Sequence, residues 1–236
     1  MKKVLSLMRR AIEDYDMIQE GDKIAVGVSG GKDSITLLYG LKLLQAFFPK
    51  KFEVIGITVD MGFPDFDLSP TIRFCQEKNI PYHIIPSEIG RIVFEIRKEK
   101  NPCSLCANLR RGILNGFAKD RLSCNKVALA HHSDDAIETL FLSMFFEGRI
   151  STFSPVTYLT RKDVTVIRPL IYIDEHIIKG TVKRNQLPVV PSPCPANTKT
   201  KRQYIKDLIR SIEMDIPEIK ERILTAIKNK EQVRLW

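Results

Sequence analysis

Residues 23–28, KIAVGV, form a short apolar run rich in β-branched residues. A glycine-rich turn, SGGKDS at 29–34, follows it and leads into ITLLYGLKLLQAFF, where Leu37, Leu38, Leu41 and Leu44 recur at helical spacing. A run apolar on every side is a strand buried on both faces, so it needs helices above and below it. The same alternation continues along the chain. FEVIGITVD (52–60), YHIIP (82–86), KVALA (126–130) and VTVIRPL (164–170) read as four more strands. Between them, Ser69-Pro70 reads as a cap and first helical position, with the helix running to about Lys78 and stopping at Asn79. Ser87 caps a helix over 87–100, CSLC opens another through LRRGILNGFAKDRL, and Ser133 caps SDDAIETLFLSMFFEG. Strands alternating with helices predict an α/β fold, a parallel five-stranded sheet flanked by helices with right-handed crossovers. Residues 149–163 read as a loop. After Ile173 come a helix, the proline-rich LPVVPSPCPAN (187–197) and two more helices. The expected division is an N-terminal amphipathic helix (1–19), the α/β domain (20–173) and a helical extension (174–236).

The composition is that of a globular chain, with 44% hydrophobic and 28% charged residues in 236. No apolar run approaches the roughly 18 residues a membrane span needs. Arg9 and Arg10 break the first apolar stretch too early for a signal peptide. The cytoplasm is the expected location, and no membrane partner is expected. Five cysteines, an odd number, without an export signal argue against a disulfide framework and toward metal or catalysis. The formal charge of +9 favours a polyanionic partner. The excess is uneven, with thirteen Lys or Arg against six Asp or Glu from Lys179 onward, which suits phosphate contacts. Lys199, Lys201, Arg202, Tyr204 and Lys206 form a basic stretch that fits phosphates. Its spacing equally fits a helix packing through Tyr204, Ile205, Leu208 and Ile209.

The glycine-rich turn is neither of the two commonest phosphate loops. A Walker loop needs glycine where Val26 stands and Ser or Thr where Asp33 stands, and a Rossmann loop needs glycine at Ser29. Its physics is still that of an anion site. Gly30 and Gly31 let the backbone approach a ligand, Ser29 and Ser34 offer hydroxyls, and Lys32 joins the N–H groups of a helix start. After the fourth strand, LAHHSDD places His131 and His132 at the carboxyl edge, with Asp134 and Asp135 in the next helical turn. If the topology is as read, both segments meet in one cleft at that edge, with Asp135 placed for magnesium or for the acceptor base.

Cys103 and Cys106 form a Cys-x-x-Cys at a helix start, and Cys194 lies in SPCPAN, while Cys75 and Cys124 read as buried packing residues. A structural zinc site wants four ligands, and three thiolates suit a [4Fe–4S] cluster with one open iron. The residue types alone leave zinc and a cluster about equal.

SGGKDS resembles the pyrophosphate loop of the PP-loop ATP pyrophosphatases (the adenine nucleotide α-hydrolase-like superfamily). The set of SGGKDS, PCSLCANLRRG, LAHHSDD and PCPAN resembles the tRNA 2-thiocytidine synthetase family over roughly residues 20 to 210. The resemblance implies ATP split to AMP and pyrophosphate with Mg2+, adenylation of the cytidine C2 oxygen at tRNA position 32, and its replacement by sulfur from a [4Fe–4S] cluster. It implies that Ser29, Gly30, Gly31, Lys32, Asp33 and Ser34 grip phosphates. It places Thr58, Val59, Asp60, Ala130, His131 and Asp135 around ATP, makes Cys103, Cys106 and Cys194 the cluster ligands, and gives Lys32, Asp135 and Arg110 catalytic roles. Expected partners are tRNA and a sulfur donor system (a cysteine desulfurase or free sulfide), with a homodimer as a further option. The chain reads as shorter at both ends than many family members, and it lacks the zinc-finger pairs of the related thiouridine synthetases. Lysidine synthetase, the other comparable enzyme, leaves the three cysteines without a role. A non-catalytic nucleotide- or RNA-binding module leaves the intact SGGKDS and both aspartates unexplained.

Overall fold

The computed structural model describes residues 1–98, 102–195 and 201–229. Its centre is a six-stranded sheet in the order β3-β2-β1-β4-β6-β5. The strands are β1 (Asp22–Gly27), β2 (Phe52–Asp60), β3 (Tyr82–Pro86), β4 (Lys126–Ala128), β5 (Val156–Leu159) and β6 (Val164–Ile167). The helices are α1 (Lys2–Asp14), α2 (Lys32–Leu44), α3 (Ser69–Glu77), α4 (Pro102–Asp120), α5 (Ser133–Glu147), α6 (Glu175–Asn185), α7 (Lys201–Asp215) and α8 (Ile219–Lys228).

Strand periodicity sorts the core into two layers. Ile24, Val26 and Val54 join α1, α2 and α6 on one face, where Met8, Leu38, Leu41 and Ile178 are fully buried. Ala25, Ile55, Ile57 and Val59 face α4 on the other, against Leu114 and Ala118. A third, smaller cluster of Ile137, Ile205 and Ile209 joins α5 to α7.

β2 and β4 pair with β1 on opposite sides, both in parallel. The loops after β1, β2 and β4 therefore leave one edge, and the strand order reverses between β1 and β4, where open α/β sheets bind ligands. The opposite edge is fastened by a buried ion pair. Lys126 Nζ lies 2.7 Å from Asp22 Oδ2 and donates to the Met17 carbonyl at 2.8 Å. Asp22 also accepts from the Asn125 amide at 2.7 Å.

The structure corrects several sequence expectations. The sheet has a sixth strand, because part of the expected 149–163 loop forms β5, antiparallel to β6, with Val156 opposite Ile167. β5 is a half-exposed edge strand whose half-buried Val156 and exposed Tyr158 lack the continuous apolar run of the inner strands. The buried Arg168 holds it, donating to the Ser154 carbonyl and the Thr157 hydroxyl. The fourth strand ends at Ala128 rather than at residue 130. The helix expected over 87–100 is a π-helical turn, Arg91–Ile96. Ser87 does not cap it; its hydroxyl donates to the Asp60 carbonyl at 2.6 Å, and Gly90 N–H bonds the Met61 carbonyl at 2.8 Å, drawing the segment onto the end of β2. Residues 99–100 of that expected helix, and Lys199 of the basic stretch, lie outside the described residues. Leu68, not Ser69, precedes α3, and His132, not Ser133, precedes α5. Ser133 is buried and its hydroxyl is directed to Ile173 O and Asp174 Oδ1, at 3.0 and 2.8 Å. No helix among the described residues is long and apolar enough to cross a membrane.

Lys126→Met should cost about 3–5 kcal/mol in chemical denaturation, because it strands the buried Asp22 charge. Adding Asp22→Asn should recover much of that loss. A loss below about 1 kcal/mol for the single variant would show that the pair does not fasten β1 to β4.

Candidate active site at the strand-order reversal

The glycine-rich turn links β1 to α2 through a locked backbone. Gly30 has φ +81°, a left-handed conformation that costs glycine least, and a Cβ there would come within 3.2 Å of Val190 Cβ. The Ser34 hydroxyl organises the turn. It accepts from Ser29 N–H at 3.1 Å, donates to Gly31 O at 2.9 Å and lies 3.2 Å from Ser29 Oγ. Gly31 is the cap of α2, so the first-turn N–H groups behind it have no intrahelical acceptor and form an anion site at the positive helix end.

Lys32 Nζ sits between two carboxylates, 2.8 Å from Asp33 Oδ2 and 3.1 Å from Glu175 Oε1. Burial works against its charge, but these carboxylates more than offset burial and hold the ammonium above the usual lysine value. Asp33 Oδ1 is buried with no hydrogen-bond partner and lies 3.8 Å from His132 Nε2. Asp135 accepts from His132 N–H at 3.1 Å and from Arg202 at 3.0 Å. The His131 ring packs on Phe153 in a tilted arrangement, with ring centroids 4.8 Å apart. Burial, aided by Arg168, Arg202 and His132 and opposed by Asp135, lowers its pKa to about 4.

A cleft of about 460 Å³ opens at the strand-order reversal. Val28, Ser29, Asp33 and Ser34 form one wall, Ile57, Val59 and Met61 from the end of β2 a second, and Ala130 and His131 a third. Arg110 and Arg111 of α4 close it with Phe66 and Leu114. The volume and the mixed apolar and cationic lining suit a nucleotide.

Cys103 and Cys106 lie in the first turns of α4, with Cys103 exposed and Cys106 half-buried. Cys194 joins them from the far end of the chain. Val190 N–H donates to the Gly30 carbonyl at 2.9 Å, so the proline-rich segment rests on the glycine-rich turn. Burial pushes the Cys106 thiol up; Arg110 pulls it down, and Cys194 and Cys103 both raise it, so the three thiols and Arg110 share one electrostatic neighbourhood. Cys106 also contacts the Met61 sulfur at 3.4 Å. Among the described residues no three His, Cys, Asp or Glu side chains are close enough to hold a single metal ion. Cys75 and Cys124 are buried, and burial lifts both thiols to about 11.

The structure thus brings Ser29, Asp33, Ser34, Val59, Ala130, His131 and Arg110 to one cleft. Thr58 is not on its wall; its hydroxyl donates to Val28 O at 2.7 Å and meets Tyr82 Oη, because neighbouring strand residues point to opposite faces. Asp60 accepts from Gly62 N–H at 2.9 Å and shapes the end of β2. Gly30, Gly31, Lys32 and Asp135 are not among its lining residues; Lys32 meets Asp33, which is, and Asp135 holds the His132 N–H. Tyr204 is 60% exposed, while Ile205 and Ile209, four residues apart, carry the packing of α7. Arg202 and Lys206 turn toward Asp135, Glu138 and Glu175 rather than outward. Arg111, which with Arg110 reads as a phosphate or tRNA contact behind the cysteines, does line the cleft. Sequence reading passed over Met61, Phe66, Arg168 and Glu175. Of these, Glu175 had a signal, since the acidic pair in IYIDEHI stands at a helix start just after a strand, as Asp134 and Asp135 do.

At pH 7 His131 is neutral. Its contribution to stability is complete above the ordinary value of 6.5 and is lost as pH falls toward about 4. Imidazole titration by NMR should give a His131 midpoint near the lower figure; a midpoint near the ordinary value would show an open, solvated ring.

A PP-loop domain model matches residues 3–212. A tRNA-cytidine(32) 2-sulfurtransferase of Geobacter sulfurreducens is 38% identical over 97% of this chain and 90% of that protein. One from Pelobacter propionicus is 41% identical over 93% of this chain and 82% of its own length. Among solved structures, a U34-tRNA thiolase from Methanococcus maripaludis, with its [4Fe–4S] cluster, superposes with a TM-score of 0.80 at 27% identity, covering 99% of this chain and 79% of that one. With a turn built for phosphates, a cleft of nucleotide size and three cysteines gathered beside it, this chain belongs to the PP-loop family and, within it, to the tRNA-cytidine(32) 2-sulfurtransferases.

Proposed function

We propose that the chain is an ATP-dependent tRNA sulfurtransferase that replaces the C2 oxygen of cytidine 32 with sulfur. The observation that carries this reading is the position of Arg110. It lines the cleft, follows Cys106 by one helical turn and lies within electrostatic reach of that thiol, so the phosphate turn and the cysteines serve one space.

In this reading the turn Ser29–Ser34 and Lys32 hold the phosphates of ATP, and Val59, Ala130 and His131 wall the adenosine. Thr58 and Asp60 fix the end of β2 behind it. Asp135 is assigned to Mg2+, whose charge offsets that of the triphosphate. The cytosine C2 oxygen attacks the α-phosphorus, forming an O–P bond as pyrophosphate leaves. Sulfide then adds at C2, and AMP departs with the former oxygen. Arg110 stabilises the negative charge that develops at the α-phosphate. Cys103, Cys106 and Cys194 fit a [4Fe–4S] cluster: among the described residues no group of three ligands closes on one ion, yet Cys106 feels both of the other thiols, as three thiolates around a larger cluster require. When bound, such a cluster would carry the sulfide that adds at C2. The base enters flipped out of the anticodon loop, as base chemistry on RNA requires. The sulfur source is free sulfide, or a cysteine desulfurase together with a two-electron thiol reductant that releases its persulfide sulfur as sulfide, and a homodimer is the assembly proposed.

Iron and acid-labile sulfide should reach about four each per chain after anaerobic reconstitution, and Cys194→Ala should lose both. Full iron retention in the variant would remove Cys194 from the ligand set. Arg110→Ala should keep its iron and slow thiolation about 100-fold; unchanged turnover would rule out the role given to Arg110.

A further inference from the structure

Glu175 begins α6, on the far side of β6 from the glycine-rich turn in sequence, yet it holds the lysine of that turn. Its carboxylate lies 3.1 Å from Lys32 Nζ, 3.1 Å from Lys179 Nζ and 3.2 Å from Lys206 Nζ. Its side chain is 12% exposed. Burial alone would raise its pKa, but the three ammonium groups bring it down to about 2, so it is a fixed negative charge. Its place is set by its surroundings. Glu175 N–H donates to Asp134 Oδ2 at 2.8 Å, and the preceding Asp174 accepts from the Ser133 hydroxyl at 2.8 Å. The start of α6 is thereby stitched to the start of α5.

We propose that Glu175 is a positioning residue for Lys32, holding its ammonium at the mouth of the phosphate turn. The proposal rests on the reading that Lys32 grips the phosphates of ATP. A lysine has a long flexible stem and loses much rotamer freedom when fixed. Asp33, its neighbour in sequence, faces the cleft and His132 through its other oxygen. With Asp33 alone, the ammonium would follow that side chain. Glu175 adds a second anchor from another element, so the ammonium is fixed between α2 and α6 before ATP arrives and less ordering entropy is lost on binding. Lys206 ties the same carboxylate to α7, which keeps Glu175 from swinging wholly toward Lys32 and neutralising it in a closed pair.

The test is ATP binding in the presence of Mg2+, measured by equilibrium dialysis on the full chain, for wild type, Glu175→Gln, Glu175→Asp, Lys32→Ala and the Lys32→Ala/Glu175→Gln double variant. Glu175→Gln should weaken ATP about tenfold, the size of one charge-assisted hydrogen bond. Glu175→Asp, which keeps the charge, should recover part of that loss. The double variant should bind no more weakly than Lys32→Ala, because Glu175 acts through the lysine. Wild-type affinity in Glu175→Gln, or a double variant weaker than Lys32→Ala by the full Glu175→Gln factor, overturns the proposal. If Lys32→Ala itself binds ATP like wild type, the phosphate role of Lys32 fails first and the positioning role with it. Thermal unfolding of each variant separates these outcomes from loss of fold; should Glu175→Gln not fold, Glu175→Asp in the two lysine backgrounds gives the same comparison.

Discussion

β1 has a parallel neighbour on each side, and the rest of the site depends on that constraint. Because β2 and β4 both run with β1, the turn 29–34, the segment at Met61 and the pair His131–His132 all emerge at one edge. A cleft must open where the chain leaves β1 in one direction and returns beside it in the other. The Lys126–Asp22 pair and its hydrogen bonds fasten the opposite edge of the same two strands. The strands are held at one end and free to present loops at the other.

Charge builds the second level. Around the cleft, carboxylates and cations from distant segments meet in pairs: Lys32 with Glu175, Arg202 with Asp135 and Glu138, and Lys220 with Asp134. Helices α7 and α8 thus belong electrostatically to the nucleotide edge although they follow the sheet in sequence. Burial raises the pKa of Glu138 against the pull of Arg202 and Lys206, a sign of how dry this junction is. Arg110 and Arg111, on the cleft wall, have no carboxylate partner among the described ion pairs, so they leave positive charge for a polyanion to meet.

The continuous apolar runs of β1 and β2 made the parallel sheet legible, since only a doubly covered strand reads that way. SGGKDS was legible because its glycines, serines and lysine each have a local reason to bind an anion. β5 was not, because an edge strand with Tyr158 outside and Val156 inside has no more pattern than a loop. The π-helical turn at Arg91–Ile96 was hidden for a different reason: helical spacing predicts a helix, and the bonds from Ser87 and Gly90 to the end of β2 override it. Thr58 shows the limit of motif reasoning, since a motif names a segment and the strand's period of two decides which side chains face the ligand. Glu175 lay 143 residues beyond Lys32 in sequence, and only the fold shows that they touch.

The central claim is sulfur transfer to cytidine 32 driven by ATP in this cleft. Its most direct measurement is nucleoside mass spectrometry of unmodified tRNA incubated anaerobically with the reconstituted chain, ATP, Mg2+ and sulfide, with AMP and pyrophosphate counted in parallel. The account predicts 2-thiocytidine at position 32, with one AMP and one pyrophosphate per sulfur incorporated. Thiolated uridine in place of cytidine, or no thionucleoside from a chain that holds its iron and binds ATP, would contradict it.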